Sequence, residues 1–372
     1  MESLSAGSVV VYLPRHGAYG HSHERASRAG LAERLAVLKG LSFAGEYHPD
    51  ACYGRPLYFA PGDTLLGTEA AALGIRSEHD LFGGVVPHAF VATKVLTHPL
   101  VHSEAAAPSG WRNAFAERVH DAVLAGFSVF SRNDARVACR RLLERGPARV
   151  KSVRETGGRG QKVVRTSSEF EAVVSALDEE ELARDGLVIE ENLTEVTTYS
   201  VGIVRVAELV ASYHGTQRLT RANDGLQVYG GSELEVVRGD FEALASLDIP
   251  EAGLAVAQAQ TYDAAASEVF PGLFASRRNY DVARGRNAQG CWCCGVLEQS
   301  WRIGGASGAE IAALEAFRAN PGLTRVRATT VEIYGADAPS PPAAATVYFR
   351  GTDECVGPMT KYAVVESHAD PR

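Results

Sequence analysis

The chain has 372 residues, enough to bury two or three cores rather than one small one. Hydrophobic residues make up 45% and charged residues 22%, the balance of a folded globular protein. Its 37 basic and 45 acidic side chains leave a net charge of −8, so no overall field draws nucleic acid or an anionic membrane. Any anion site must therefore be local. No apolar run approaches the roughly 20 residues of a membrane-spanning helix. Met1-Glu2-Ser3-Leu4-Ser5 lacks the basic-then-apolar order of a signal peptide. Six cysteines in a chain this long make no disulfide scaffold. The expectation is a cytoplasmic protein without nucleic-acid or membrane partners.

In chain order, Val9-Val10-Val11-Tyr12-Leu13 is a buried-strand pattern that runs into Arg15-His16-Gly17 and then an alanine-rich helix to about Leu38. A second strand at Leu57-Tyr58-Phe59-Ala60 is followed by a helix near 69–73. This alternation predicts a small α/β domain with a parallel sheet. His21 and His23 have no third ligand near them in sequence and read as a polar loop capping a helix, with metal or substrate contact as the alternative. Gly83-Gly84-Val85-Val86-Pro87 marks a domain boundary, and residues 111–124 carry a helical apolar face. Ser131 with Asp134, Ser168 with Glu171 and Ser307 with Glu310 have the spacing of capping boxes. From Thr197 the pattern turns to alternating, antiparallel strands, interrupted by a helix near 252–269. Two further strand patterns end the chain, split by Pro339-Ser340-Pro341-Pro342.

The stretch from Arg149 to Val164 carries the first chemistry. A β-branched run bearing Lys151 enters Gly157-Gly158-Arg159-Gly160 and leaves through Val163-Val164. Glycines lack a Cβ and can turn consecutive N–H groups toward an anion, to which Lys151 and Arg159 add charge. No Gly-Lys-Ser/Thr follows, and strands flank the loop on both sides. It is therefore neither a P-loop nor a dinucleotide fingerprint, but a hairpin able to close over phosphates. Its alternative is a plain hairpin with a glycine turn.

Asp281 and Glu298 form a second constellation. Each sits in a strand pattern, and if those strands pair the two carboxylates meet as hard oxygen donors, suited to magnesium shared with phosphates. Ser300 and Arg302 follow Glu298 at period two and project from the same side. The alternative is a pair of exposed carboxylates on a solvated sheet edge. Cys291-Trp292-Cys293-Cys294 contains a Cys-x-x-Cys spacing, read as incidental thiols because no second such pair exists. Tyr213-His214-Gly215-Thr216-Gln217-Arg218 could line a polar pocket, and Thr360-Lys361-Tyr362 could reach it from the tail.

Taken in order, these elements resemble the ATP-grasp superfamily over about residues 90–317, and the details also look like an uncharacterised bacterial ATP-grasp-like family. The resemblance implies an N-terminal Rossmann-like α/β domain (1–89) and an ATP-grasp core (90–320), α+β within, with a glycine-loop lid at about 149–193. A β-rich tail (321–372) would follow. It implies that Lys94 and Lys151 hold nucleotide phosphates beneath Gly157, Gly158, Arg159 and Gly160. Ile189-Glu190-Glu191-Asn192-Leu193 is similar to the hinge that binds adenine through backbone groups of Glu190 and Leu193, with Glu191 between them. Asp281 and Glu298 resemble the metal-binding carboxylates, and Ser300 stands where the family has asparagine. A serine hydroxyl is a weaker, shorter metal ligand.

The implied activity is ATP-dependent ligation of a carboxylate to an amine or thiol, with Mg2+ and an acyl-phosphate intermediate. Lys151 and Arg302 would act catalytically, Arg302 on the substrate carboxylate or the transferring phosphate. The partner would be a small, carboxylate-bearing molecule, and a homodimer is an open option. Two rivals remain: a nucleotide-binding regulatory or scaffold protein without ligation, and a small-molecule kinase.

Overall fold

The structure is a computed structural model that describes residues 7–13, 22–153 and 160–366. Strands β1 (Ser8–Tyr12), β2 (Ser42–Glu46) and β3 (Leu57–Pro61) form a parallel sheet in the order β2-β1-β3, and helix α1 (Ser22–Lys39) links the first two. This is the α/β domain that the strand–helix alternation predicts. Next come β4 (Leu65–Leu66), α2 (Gly67–Leu73) and β5 (Gly84–Val86). The Gly83–Pro87 stretch, expected as a boundary, contains this buried strand. β5 pairs parallel with β4 and antiparallel with β13 (Phe274–Ala275). The glycine serves close packing here rather than flexibility: a Cβ on Gly84 would lie 2.8 Å from Trp301 Cβ and 3.0 Å from Ala275 Cβ. Gly84→Ala is expected to destabilise the protein by about 1–3 kcal/mol, read from the urea midpoint.

The segment expected as one helix over 111–124 is only α3 (Asn113–Arg118) and a separate 3-10 turn, His120–Ala122. Tertiary contacts break it: Val123 bridges Val296, and Gln258 Nε2 donates to Asp121 O at 3.2 Å. A four-stranded antiparallel sheet follows, in the order β6 (Gly126–Val129), β9 (Leu187–Glu191), β7 (Ala148–Ser152), β8 (Gln161–Val164). Helices α4 (Arg132–Leu143), α5 (Ser167–Ser175) and α6 (Glu179–Asp185) complete this unit, whose core holds Val129, Ala138, Leu142, Val150, Phe170 and Ile189. Ser131 caps α4 as expected, its side chain accepting from Asp134 N. The cap of α5 is Thr166 rather than Ser168, because the helix starts earlier than its apolar pattern.

The remaining strands build one eight-stranded sheet. Its order is β15 (Trp292–Ser300), β14 (Arg277–Arg286), β10 (Thr194–Val206), β11 (Leu209–Arg221), β12 (Gln227–Arg238), β16 (Arg325–Tyr334), β18 (Gly357–Glu366), β17 (Thr346–Asp353). The β-rich segment after residue 320 is thus no separate tail: β16 pairs with β12 from Gly231↔Val331 to Val237↔Arg325. It also holds three strands where two were expected.

After α7 (Phe241–Ala245), helix α8 (Gly253–Val269) covers one face, packing Val256, Ala259 and Tyr262 beside Val201, Tyr280 and Val282. Helix α9 (Ser307–Ala319), with α1, covers half of the other face through Ala313, Phe317 and Leu35. The rest of that face carries polar residues, among them Ser200, Asn279, Asp281 and Glu298. Among the described residues no helix is long and apolar enough to cross a membrane.

Candidate active site

The polar half-face is set by register. Asp281 on β14 lies opposite Glu298 on β15 and opposite Ser200 on β10. Directly opposed residues in antiparallel strands share a face, so the two carboxylates meet as the strand patterns predict. Lys94, in the 3-10 turn Lys94–Thr97, is 8% exposed and puts Nζ 3.0 Å from Glu298 Oε2. Gln299 faces the other way and anchors that turn: Nε2 donates to the carbonyls of Val91 (2.6 Å) and Thr93 (2.9 Å). It therefore holds Lys94 in place and is unavailable as a substitute ligand for Ser300.

Asp281 Oδ1 accepts from Gln217 Nε2 at 2.8 Å and from Asn279 Nδ2 at 2.9 Å. Burial, and then the neighbouring Glu298 charge, push its carboxyl up to about 6 against the pull of those two amides and of Arg277. Two carboxylates that crowd each other in this way attract a cation. Among the described residues no third His, Cys, Asp or Glu completes a protein-only metal cage. One or two carboxylates plus phosphate oxygens is the donor set magnesium uses, so the pair fits that ion bound together with a nucleotide.

Lys151, on β7, is the second buried lysine, at 4% exposure. Its Nζ lies 2.5 Å from Glu190 Oε1, and His98 Nε2 lies 3.2 Å from the other Glu190 oxygen. Strands β7 and β8 flank the glycine loop as a hairpin, from Ala148↔Val164 to Lys151↔Gln161. Gly157, Gly158 and Arg159 lie outside the described residues, as do Arg15, His16 and His21; Gly160 has φ +65°.

At the end of β9, Glu190 turns its side chain into the ion-pair cluster. Glu191 instead holds Ala125, donating N–H to its carbonyl (2.8 Å) and accepting its N–H at Oε1 (3.2 Å). Leu193 packs with Leu124 and Ala283, flanked by Leu297 and Cys293. Ala283 stands two residues from Asp281 on β14, and Leu297 precedes Glu298 on β15, so the cluster adjoins the carboxylate pair along both strands.

Ser300 is the end of β15, and its hydroxyl accepts from Arg277 Nη1 at 3.2 Å. Arg277 is 1% exposed and pairs with the fully buried Glu310, which accepts from Nε and Nη2. Burial works against the guanidinium charge and Glu310 outweighs it. Glu310 is therefore no capping-box partner of Ser307: α9 begins after Ala306, and the ion pair takes the carboxylate inward. Arg302 leaves the strand toward the N-terminal domain, with Nε 3.8 Å from Asp63 Oδ1 and Nη1 donating to Ile303 O at 3.0 Å.

His23 opens α1 and donates its backbone N–H to Asp353 Oδ2 at 3.0 Å. Cys291, Cys293 and Cys294 are free thiols. A cavity of about 280 Å³ lined by Glu78, Arg205, Asp240, Asp263 and Arg278 lies on the opposite face of the large sheet and touches none of the residues above.

Sequence reasoning assigned no role to His98, Asn279 or Arg277, and placed Tyr213 only in a possible pocket lining and Glu310 only in a capping box. The alternation Arg277-x-Asn279-x-Asp281 was the available signal for two of them, since it puts three polar side chains on one strand face. His98 had none.

Solved structures share this architecture. N5-carboxyaminoimidazole synthetase from Staphylococcus aureus gives a TM-score of 0.53 at 10% identity, covering 98% of this chain and 95% of that one. The biotin carboxylase domain of 2-oxoglutarate carboxylase from Hydrogenobacter thermophilus, a dimer with MgADP, ADP and bicarbonate, gives 0.54 at 13%, covering 97% and 86%. N5-carboxyaminoimidazole synthase from Aspergillus clavatus, with ADP and 5-aminoimidazole ribonucleotide, gives 0.51 at 13%, covering 98% and 95%. The fold is the ATP-grasp fold. Comparison with curated protein sequences gives no match. Residues 11–363 match the family described as "Protein of unknown function (DUF3182)", and the chain belongs to that family.

Proposed function

We propose that the chain is an ATP-dependent ligase that joins a carboxylate to an amine or thiol and uses Mg2+. The observation that carries this reading is the convergence of Lys94 on Glu298 beside Asp281, with Lys151 tied to the end of the same Lys94–Thr97 turn through Glu190 and His98. Lys94 and Lys151 would hold the nucleotide phosphates, with Gly157, Gly158, Arg159 and Gly160 closing above them. Backbone groups of Glu190 and Leu193 would hold adenine beside Leu124, Ala283 and Leu297. Lys94, which pairs with Glu298 here, would turn to the nucleotide phosphates, leaving the Glu298 carboxylate to a divalent cation. Asp281 and Glu298 would be the two metal ligands, and magnesium bound there supplies charge compensation while the γ-phosphoryl group moves. Arg302, at the junction with the N-terminal domain, suits the carboxylate of the acceptor. The Aspergillus and Hydrogenobacter structures hold a ribonucleotide amine and bicarbonate beside adenine nucleotides, small partners of the kind this site would take.

The test is incubation of the purified chain with ATP, Mg2+ and a mixture of amino and carboxylic acids. ADP with a coupled product supports ligation; ADP with a phosphorylated product makes it a kinase. Nucleotide binding without turnover makes it a regulatory protein, a second reading favoured by the Ser300 hydroxyl, which is already taken by Arg277 where a second metal ligand would stand. Glu298→Gln is expected to lower Mg2+-dependent turnover by about 10²-fold or more, the scale for losing a group that stabilises transition-state charge. Nucleotide affinity in EDTA should stay near wild type. Normal turnover in that variant would remove Glu298 from the metal site.

A further inference from the structure

We propose that Tyr213 and Asn279 are positioning residues that aim the Asp281 carboxylate at its cation, acting through an unbroken hydrogen-bond chain buried beneath the site. This rests on the reading of Asp281 and Glu298 as the divalent-cation pair. The chain begins at Asp281 Oδ1, which takes both amide donors, Gln217 and Asn279. Among the described residues no hydrogen bond reaches Oδ2. Two donors on one oxygen fix the rotation of the carboxylate plane and leave the other oxygen to a metal.

Asn279 can perform this only in one orientation. Its NH2 must face the carboxylate, which only accepts, so its Oδ1 faces the Tyr213 hydroxyl at 3.0 Å. A flip would set two acceptors against each other at Asp281. The Tyr213 proton is shared in a three-centre bond, since Glu310 Oε1 lies 2.5 Å from the same hydroxyl. Glu310 is held in turn by Arg277, whose Nη1 donates to Ser300 O (3.0 Å) and Arg302 O (2.7 Å). The chain thus runs from the metal carboxylate on β14 through α9 to the end of β15, the strand that carries Glu298.

Its inner members are buried: Tyr213 and Glu310 at 0%, Arg277 at 1% and Asn279 at 6% exposure. Burial makes the arrangement rigid, because each group that turned away would lose a bond that water cannot replace. Gly202, the partner of Tyr213 on β10, is part of the same design. A Cβ there would come within 2.3 Å of the Tyr213 hydroxyl, so only glycine leaves room for the phenol to reach both acceptors.

A merely structural role would lower stability without changing metal dependence, and the test separates the two. Calorimetry of a non-hydrolysable ATP analogue, in EDTA and in Mg2+, gives the gain in nucleotide affinity due to the metal. Tyr213→Phe keeps the ring and drops the hydroxyl; Asn279→Ala removes the amide. Both are expected to bind the analogue in EDTA as wild type does while the metal-dependent gain falls about tenfold, the scale for losing an outer partner of a metal ligand. Circular dichroism melts check that each variant is folded. An undiminished gain in both variants, or equal losses in EDTA and Mg2+, would overturn the positioning role. A wild-type protein with no metal-dependent gain would instead overturn the metal reading on which it rests.

Discussion

Lys151→Met is expected to abolish nucleotide binding and to destabilise the fold by about 3–5 kcal/mol, because it strands a buried carboxylate. Glu190 is 2% exposed and faces Lys151 at 2.5 Å. Burial pushes the Glu190 carboxyl up, and the Lys151 ammonium with the His98 contact outweighs it, holding the group down to about 2. In the wild type this carboxylate therefore stabilises the fold above its ordinary value of 4.5, and that contribution is lost as pH falls toward 2. Without Lys151 burial dominates and the carboxyl rises above its unfolded value. The variant should then gain stability on acidification from about pH 7 to about pH 5, a range over which the wild-type Glu190 contribution is constant. Adding Glu190→Gln should restore most of the stability and none of the nucleotide affinity. Urea denaturation at two pH values, with calorimetry of ATP binding, reads all of this. A single variant as stable as wild type would mean that the pair carries no net electrostatic load.

Arg277→Met should be as damaging, about 3–5 kcal/mol, for the same reason at a different place. Glu310 is fully buried and would lose three guanidinium contacts, while the carbonyls of Ser300 and Arg302 would lose their donor. Replacing both partners, Arg277→Met with Glu310→Leu, removes the charge imbalance and should recover much of the loss, since an apolar pair of similar volume needs no counter-charge. Thermal unfolding of the single and double variants decides this. Equal stability of the single variant and wild type would show that the buried pair is dispensable to the fold.

The parts of the site legible in the sequence were those with local signatures. Lys151 and the glycine loop stood in one continuous strand–turn–strand pattern, and β7 pairs with β8 as that pattern requires. Asp281 and Glu298 each sat in a strand run, and the only condition was that the strands pair, which they do, with the two residues in direct register. Capping was legible in part. Ser131 caps α4, but the spacing of Ser307 and Glu310 misled because Arg277, from a distant strand, claims the carboxylate. Gly83–Val86 misled in the same way: glycine beside valine reads as a break, yet Trp301 presses on Gly84 from another part of the chain.

By itself the sequence determined most of the long strands and helices and where lysines, glycines and carboxylates occur, because periodicity and turn chemistry are local properties. Only the tertiary structure decided which charges meet. Lys94 faces Glu298, Lys151 faces Glu190, and Arg277 faces the Ser300 hydroxyl. It also joined the strands after residue 320 to the central sheet. Such pairings depend on strand order and register across long stretches of chain, and a buried charge finds its partner by geometry that no local pattern encodes.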